Sequence, residues 1–208
     1  MRYHYTEKET KEILNNLTVL VDTRENANGH ILEFFNKKKI KYKEKKLDFG
    51  DYSFMLPAMP ELGIIKPLFF DNEIVIERKG SLNELSGNLT KDRERFEKEL
   101  IRKKDAKFHL MIENGSWEMI QNGRYGTEYK PASFLATLNA YMARYCINID
   151  FVSKEYAGTY IYALFNYHLR ESILNFCGLN QAEIVNIYDD GKIVGTIVDY
   201  MGDLEEGE

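Results

Sequence analysis

Glu73-Ile74-Val75-Ile76-Glu77-Arg78-Lys79 reads as a β-strand whose apolar part, Ile74 to Ile76, runs straight into three charged residues. Residues two apart in a strand share a face, so Glu77 and Lys79 point the same way. Burying a carboxylate beside an ammonium is costly unless the two pair, and a solvent-facing ion pair on an edge strand is the plain structural alternative. Working outward, two more acids stand at strand ends. Thr18-Val-Leu-Val-Asp22 is a short β-branched run that closes on Asp22, with Arg24 and Glu25 just beyond. Phe49-Gly-Asp-Tyr-Ser-Phe-Met55 is a turn leading into another strand, with Asp51 at its start. Three acids at strand ends, one followed two positions later by a lysine, suit phosphodiester hydrolysis. That reaction needs an attacking water, an in-line approach and cover for developing negative charge. Carboxylate oxygens hold Mg²⁺, which keeps several of its waters. The ion lowers the pKa of one water and screens the phosphate, and a nearby ammonium orients water or stabilises charge.

The rest of the chain supplies a scaffold. Thr6-x-x-Glu9 is a capping box for a helix to about Asn15. His30 to Lys39 and Pro131 to Tyr145 read as helices, as do Ser81 to Leu89, Asp92 to Lys103 and Tyr156 to Phe176. Strands are expected from Ile40, at Lys107–Glu113 and at Ile147–Val152. Residues 56–72 hold three of the four prolines, Pro57, Pro60 and Pro67, and read as a long connection or flap. The order predicts an α/β domain with a mixed sheet flanked by helices, spanning residues 1–178. Ile184–Tyr188 and Ile193–Val198 flank Asp-Asp-Gly-Lys and predict a β-hairpin in a 179–208 appendage with an acidic end.

Composition narrows the class. The 208 residues are 44% hydrophobic, enough for one domain with its own core. No apolar run approaches the ~20 residues of a membrane span, and the polar N-terminus is no secretory signal. Cys146 and Cys177 lack metal or disulfide spacing and read as core thiols, so a reducing cytoplasm is the expected setting. The net charge of −5 misleads. Residues 183–208 carry eight acids against Lys192 alone, so that segment is −7 and the remainder +2.

At this point the residues resemble a family. Val21-Asp-Thr-Arg-Glu25, Gly50-Asp-Tyr52 and Val75-Ile-Glu-Arg-Lys79, followed by Arg95-Phe96 and Leu110-Met-Ile-Glu113, look like the nuclease domain of the XPF-type structure-specific endonucleases. The resemblance implies a restriction-endonuclease-like core and Mg²⁺-dependent cleavage of branched, flapped or junction DNA in recombination, repair or replication, with Mn²⁺ able to substitute. By motif, Asp51, Glu77 and Asp22 would hold metal and Lys79 would serve the attacking water. Arg24, Glu25 and Arg78 would be accessory. The chain departs from the pattern in four ways. Asp51 and Glu77 are separated by the proline-bearing insertion, which either leaves the strands adjacent or covers the site. Asn83 stands where the family has an aspartate, with Glu84 reading as a helix cap, and Glu99 stands where it has a glutamine. No helix-hairpin-helix signature follows residue 178, as in short bacterial and phage versions.

Asn36 to Lys46 contains seven lysines, and Lys37, Lys38, Lys39 and Lys41 are candidate phosphate contacts. Lysines on an edge strand also simply discourage edge pairing. Arg93 and Arg95 are further DNA candidates in the helix that the resemblance reaches. The aromatics after Tyr156 exceed what one buried helix face needs, and XPF-type domains commonly pair, so a homodimer is expected. Trp117 reads as packing. The acidic tail either solvates the chain end or recruits a protein partner. Two other functions compete with the nuclease: a non-catalytic branched-DNA-binding scaffold or partner subunit, and a sequence-specific restriction enzyme on the same core.

Overall fold

The computed structural model describes residues 5–176 and two further strands, 182–189 and 192–200. The capping box forms: Glu9 N–H donates to the Thr6 hydroxyl and the Glu9 carboxylate accepts from Thr6 N–H at 2.9 Å, opening α1 (Glu7–Asn15). Then come β1 (Thr18–Val21), α2 (Gly29–Lys38), β2 (Lys41–Glu44) and β3 (Tyr52–Leu56). A 3₁₀ turn at Pro60–Leu62 precedes β4 (Leu68–Phe69) and β5 (Ile74–Lys79). After α3 (Leu82–Thr90) and α4 (Arg93–Arg102) follow β6 (Lys107–Glu113), α5 (Trp117–Gln121), α6 (Pro131–Tyr145), β7 (Ile147–Val152) and α7 (Ala157–Phe176). Strands β1 to β7 form one mixed seven-stranded sheet in the order β2-β1-β3-β5-β6-β7, with β4 beside β3. β1 and β2 are parallel, as are β5, β6 and β7, whereas β3 runs antiparallel to β1 and β5. β8 (Ala182–Asp189) and β9 (Lys192–Tyr200) pair antiparallel as a separate hairpin, as the sequence predicts.

Strand alternation divides the core into two layers. Ile74 and Ile76 of β5 pack with α1, α2 and α7, while Val75 between them packs with α3, α4 and α6. β6 alternates likewise: Met111 joins the first layer, and Phe108, Leu110 and Ile112 join the second. α7 buries every fourth residue, Ala157, Ile161, Phe165, Leu169 and Ile173, the spacing of one helix face. Its aromatics therefore sort themselves: Phe165 is core, Tyr160 and Tyr162 are half-buried, and Tyr167 is exposed, as is Tyr156 just before the helix.

Three sequence expectations change. Residues 56–72 are no flap. Leu56 pairs with Leu68, so the connection between them lies at the end of β3 away from Asp51. It is pinned by buried Met59, Leu62 and Ile64 and by the Tyr5 hydroxyl on Leu62 O at 2.9 Å. α5 was not expected; five residues are too short to show a period, although Ser116 caps it by accepting from Met119 N–H. Cys146 is exposed rather than core, because it ends α6 in a left-handed conformation (φ 50°). Cys177 and the acidic end beyond 200 lie outside the described residues.

Candidate active site

The same alternation splits the Glu-Arg-Lys run across the sheet. Glu77 and Lys79 follow Val75 to the α3–α4 face, where the Lys79 ammonium donates to Glu77 Oε1 at 2.5 Å and lies 5.4 Å from the centre of the Phe96 ring. Both side chains are about 8% exposed, so the ion pair is buried and not an edge-strand decoration. Arg78 takes the opposite face. Its guanidinium grips Glu113 at the end of β6 through two hydrogen bonds, 2.7 and 2.9 Å, and lies 3.6 Å from Glu25. His30 on α2 bonds the same Glu113 at 2.8 Å, which ties the first turn of α2 to both strand ends.

Asp51 is clamped beside Glu77. Its backbone N–H donates to Ile76 O at 2.8 Å, and its Oδ2 accepts from Arg78 N–H at 2.8 Å, so it is bonded to both neighbours of Glu77. The preceding Gly50 makes the approach possible: its φ is +72°, and a Cβ there would sit 2.9 Å from Val75 Cβ. Two carboxylates forced together in a dry place resist ionisation. Burial first, with Glu25 and Glu99 adding to it, pushes the Asp51 carboxyl up to about 7 against the pull of Lys79 and the Arg78 amide. Burial and then Asp51 raise Glu77 as well. Burial alone would favour loss of the Lys79 proton, but the carboxylates of Glu77, Asp51 and Glu84 outweigh it and hold Lys79 above its ordinary range. Lys79 is thus a fixed ammonium.

Asp22, expected as a metal ligand, has both carboxylate oxygens hydrogen-bonded. Its Oδ1 accepts from Arg24 N–H and Nε, both at 2.7 Å, and its Oδ2 accepts from Arg24 Nη2 at 2.9 Å and Leu47 N–H at 2.6 Å. Burial acts to raise this carboxyl, yet those donors hold it below the usual carboxylate range. Through these bonds Asp22 braces Arg24 and the turn into β3. Ser81 caps α3 by accepting from Glu84 N–H at 3.2 Å, and the Glu84 carboxylate accepts from Gly80 N–H at 2.9 Å, one residue before the cap. Asn83 accepts from Gly126 N–H at 2.7 Å and serves the loop before α6.

Among the described residues no three carboxylate, imidazole or thiol groups form a ready-made metal cage. Mg²⁺ rarely needs one: one or two carboxylates, waters and substrate phosphate complete its shell. Asp51 and Glu77 fit that demand. Asp51 Oδ1 and Glu77 Oε2 accept no hydrogen bond from the described residues, and the mutual repulsion of the pair is relieved by a cation.

The basic residues fall into two sets. Arg95 stands with Lys91, Arg93 and Lys98, and with the acids Asp92 and Glu94, around a cleft of about 600 Å³ at the start of α4, the helix whose Phe96 touches Lys79. Arg93 is partly engaged by Glu97 at 3.0 Å. Lys37, Lys38, Lys39 and Lys41 lie elsewhere. Lys41 pairs with Thr18, at the end of β1 opposite Asp22, and its ammonium is bonded to Asn16.

Residues 21–164 match the ERCC4 domain, more than half of the chain. This chain belongs to the ERCC4 domain family. Among solved structures it is similar to XPF from Aeropyrum pernix, with a TM-score of 0.53 and 18% identity over 85% of this chain and 70% of that one. A second structure, titled as the same XPF in complex with DNA, matches with a TM-score of 0.53 and 18% identity over 74% of this chain and 66% of the other. No curated protein sequence matches. The ERCC4 chain thus has the XPF nuclease fold, a restriction-endonuclease-like core with a mixed sheet between helices. No described helix is long and apolar enough to cross a membrane. Sequence reasoning assigned no role to Glu113 or His30 and left Glu99 as an unexplained departure. Glu113 did carry a signal, since it closes an apolar strand as Asp22 and Glu77 do. His30 carried none.

Proposed function

We infer that this chain is a divalent-metal-dependent endonuclease that hydrolyses phosphodiesters in branched, flapped or junction DNA. The observation that carries the reading is the Asp51–Glu77 pair held side by side with the Lys79 ammonium bonded to Glu77. Family membership and the match to a DNA complex support DNA as the ligand. Asp51 and Glu77 are the residues to hold Mg²⁺ or Mn²⁺, which when bound activates water and screens the phosphate. Lys79, locked as an ammonium, orients the attacking water and stabilises charge on the phosphoryl oxygens; it is not the base. Water adds to phosphorus in line with the departing sugar oxygen, with no covalent protein–DNA intermediate. Arg78, Glu113 and His30 hold the end of β5, and Arg78 N–H aims Asp51. Asp22 and Arg24 brace the approach to β3 through Leu47, and Glu25 faces Arg78.

Arg93 and Arg95, on the helix that brings Phe96 to Lys79, are phosphate contacts, and Lys37, Lys38, Lys39 and Lys41 form a second basic surface. A homodimer has an open face beside edge strand β7, in a cleft lined by Trp117, Met142, Ile147 and Ile149. A protein partner for the acidic tail remains part of the same reading, carried by its charge alone.

The test is a panel of fork, flap, nicked and four-way DNA with Mg²⁺ titrated in. Wild type is expected to cut branched substrates, whereas Asp51→Ala and Lys79→Ala bind them without cutting. Branched-DNA binding with no cleavage at any Mg²⁺ or Mn²⁺ concentration would favour the scaffold. Cleavage that follows base sequence and ignores branches would favour a restriction enzyme.

A further inference from the structure

Glu99 stands where α4 meets the site. Phe96, one turn earlier on the same helix face, touches the Lys79 ammonium, and Glu99 Oε1 accepts from Gly50 N–H at 3.0 Å, one residue before Asp51. Its other oxygen accepts no hydrogen bond from the described residues. The negative charge bears on Asp51, on Glu77 and on Arg24. A neutral amide oxygen would satisfy Gly50 N–H equally well, so that hydrogen bond does not require a charge. The local cations do not balance it: Lys79 is bonded to Glu77, and Arg24 is held by Asp22 through two hydrogen bonds. A third carboxylate therefore adds repulsion to a pair that already repels.

We propose that Glu99 sets the dication affinity of the Asp51–Glu77 pair through its charge, while its hydrogen bond to Gly50 only steadies the turn. This rests on the metal-dependent reading above. Glu99 is a positioning and charge-setting residue, not a ligand.

The experiment separates charge from hydrogen bond. Mn²⁺ is titrated calorimetrically, without DNA, into wild type, Glu99→Gln, Glu99→Ala and Asp51→Asn, and the same proteins are melted in chelator. Glu99→Gln keeps the acceptor for Gly50 and loses the charge. It is expected to bind Mn²⁺ about tenfold more weakly, the order expected for removing one charge near a dication, yet to melt no lower than wild type in chelator. Glu99→Ala loses both and melts lower. If Glu99→Gln binds Mn²⁺ as wild type does while Asp51→Asn loses it, the proposal is overturned and the nuclease reading stands. A lower melting temperature for Glu99→Gln in chelator would also overturn it, by making the residue structural. If wild type takes up no Mn²⁺, the metal-dependent reading falls and the proposal with it.

Discussion

Asp51 is the residue on which charge, burial and backbone geometry converge. Its carboxyl titrates at about 7 in the fold against an ordinary value of 3.8. A raised acid pKa means that the folded form holds its proton longer than the unfolded one, so stability falls as pH rises from about 4 to about 7. In chelator, Asp51→Asn should therefore outlast wild type in thermal melts at pH 8, with the gap closing as pH falls toward 4. A variant that melts below wild type at pH 8 would show that the Asp51 charge is not under strain. A bound dication replaces the proton at such a carboxyl. The site is thus poised between proton and cation, and the Lys79 ammonium stays charged throughout that range.

At the scale of elements, α7 carries a second titration of opposite sign. His168 is largely buried between the Phe54 ring, 6.1 Å away, and Glu73, whose carboxylate is 3.9 Å from Nε2. Burial first, then Lys107 and His109, lower it from 6.5 to about 4. The unfolded chain takes up this proton before the folded one, so stability is lost as pH falls from about 6.5 toward 4. His168→Leu should flatten that loss relative to wild type in urea melts across the window; an unchanged slope would place its cause elsewhere. The sequence made β5 and its charged end legible, because three apolar residues followed by Glu77 and Lys79 allow one alternation only. It also made α1 legible through the Thr6–Glu9 box. It did not reveal which helices cover the face that each charge takes. Asp22 looked equivalent to Asp51 because both sit at strand ends. The difference lies in Arg24 and Leu47 N–H, partners that exist only once β1, the Arg24 turn and the approach to β3 have come together.

Across the whole molecule, the acids and Lys79 gather at one end of the sheet, whereas Lys37 to Lys41 gather toward the other end of β1 and β2. The parallel pairing of β1 with β2 causes this, since it sets Lys41 beside Thr18 and Glu44 beside Val21. Bulk charge hides the division, because the acidic C-terminal segment outweighs a faintly basic body. Phosphate contacts are read as salt dependence. Arg95→Ala should weaken branched-DNA binding and lower the slope of log affinity against log salt by about 1. Replacing Lys37 and Lys38 together should leave cleavage of pre-bound DNA unchanged. A cleavage defect in the lysine variant would mean that the far surface helps shape the reacting centre.

The pairing of Asp51 and Glu77 as a seat for a hard dication is tested most directly by anomalous diffraction from crystals soaked in Mn²⁺. A peak is expected between those two carboxylates, beside the Lys79 ammonium, and it should vanish in Asp51→Asn crystals. A peak at other side chains with none at Asp51 and Glu77, or no peak at saturating Mn²⁺, would contradict it.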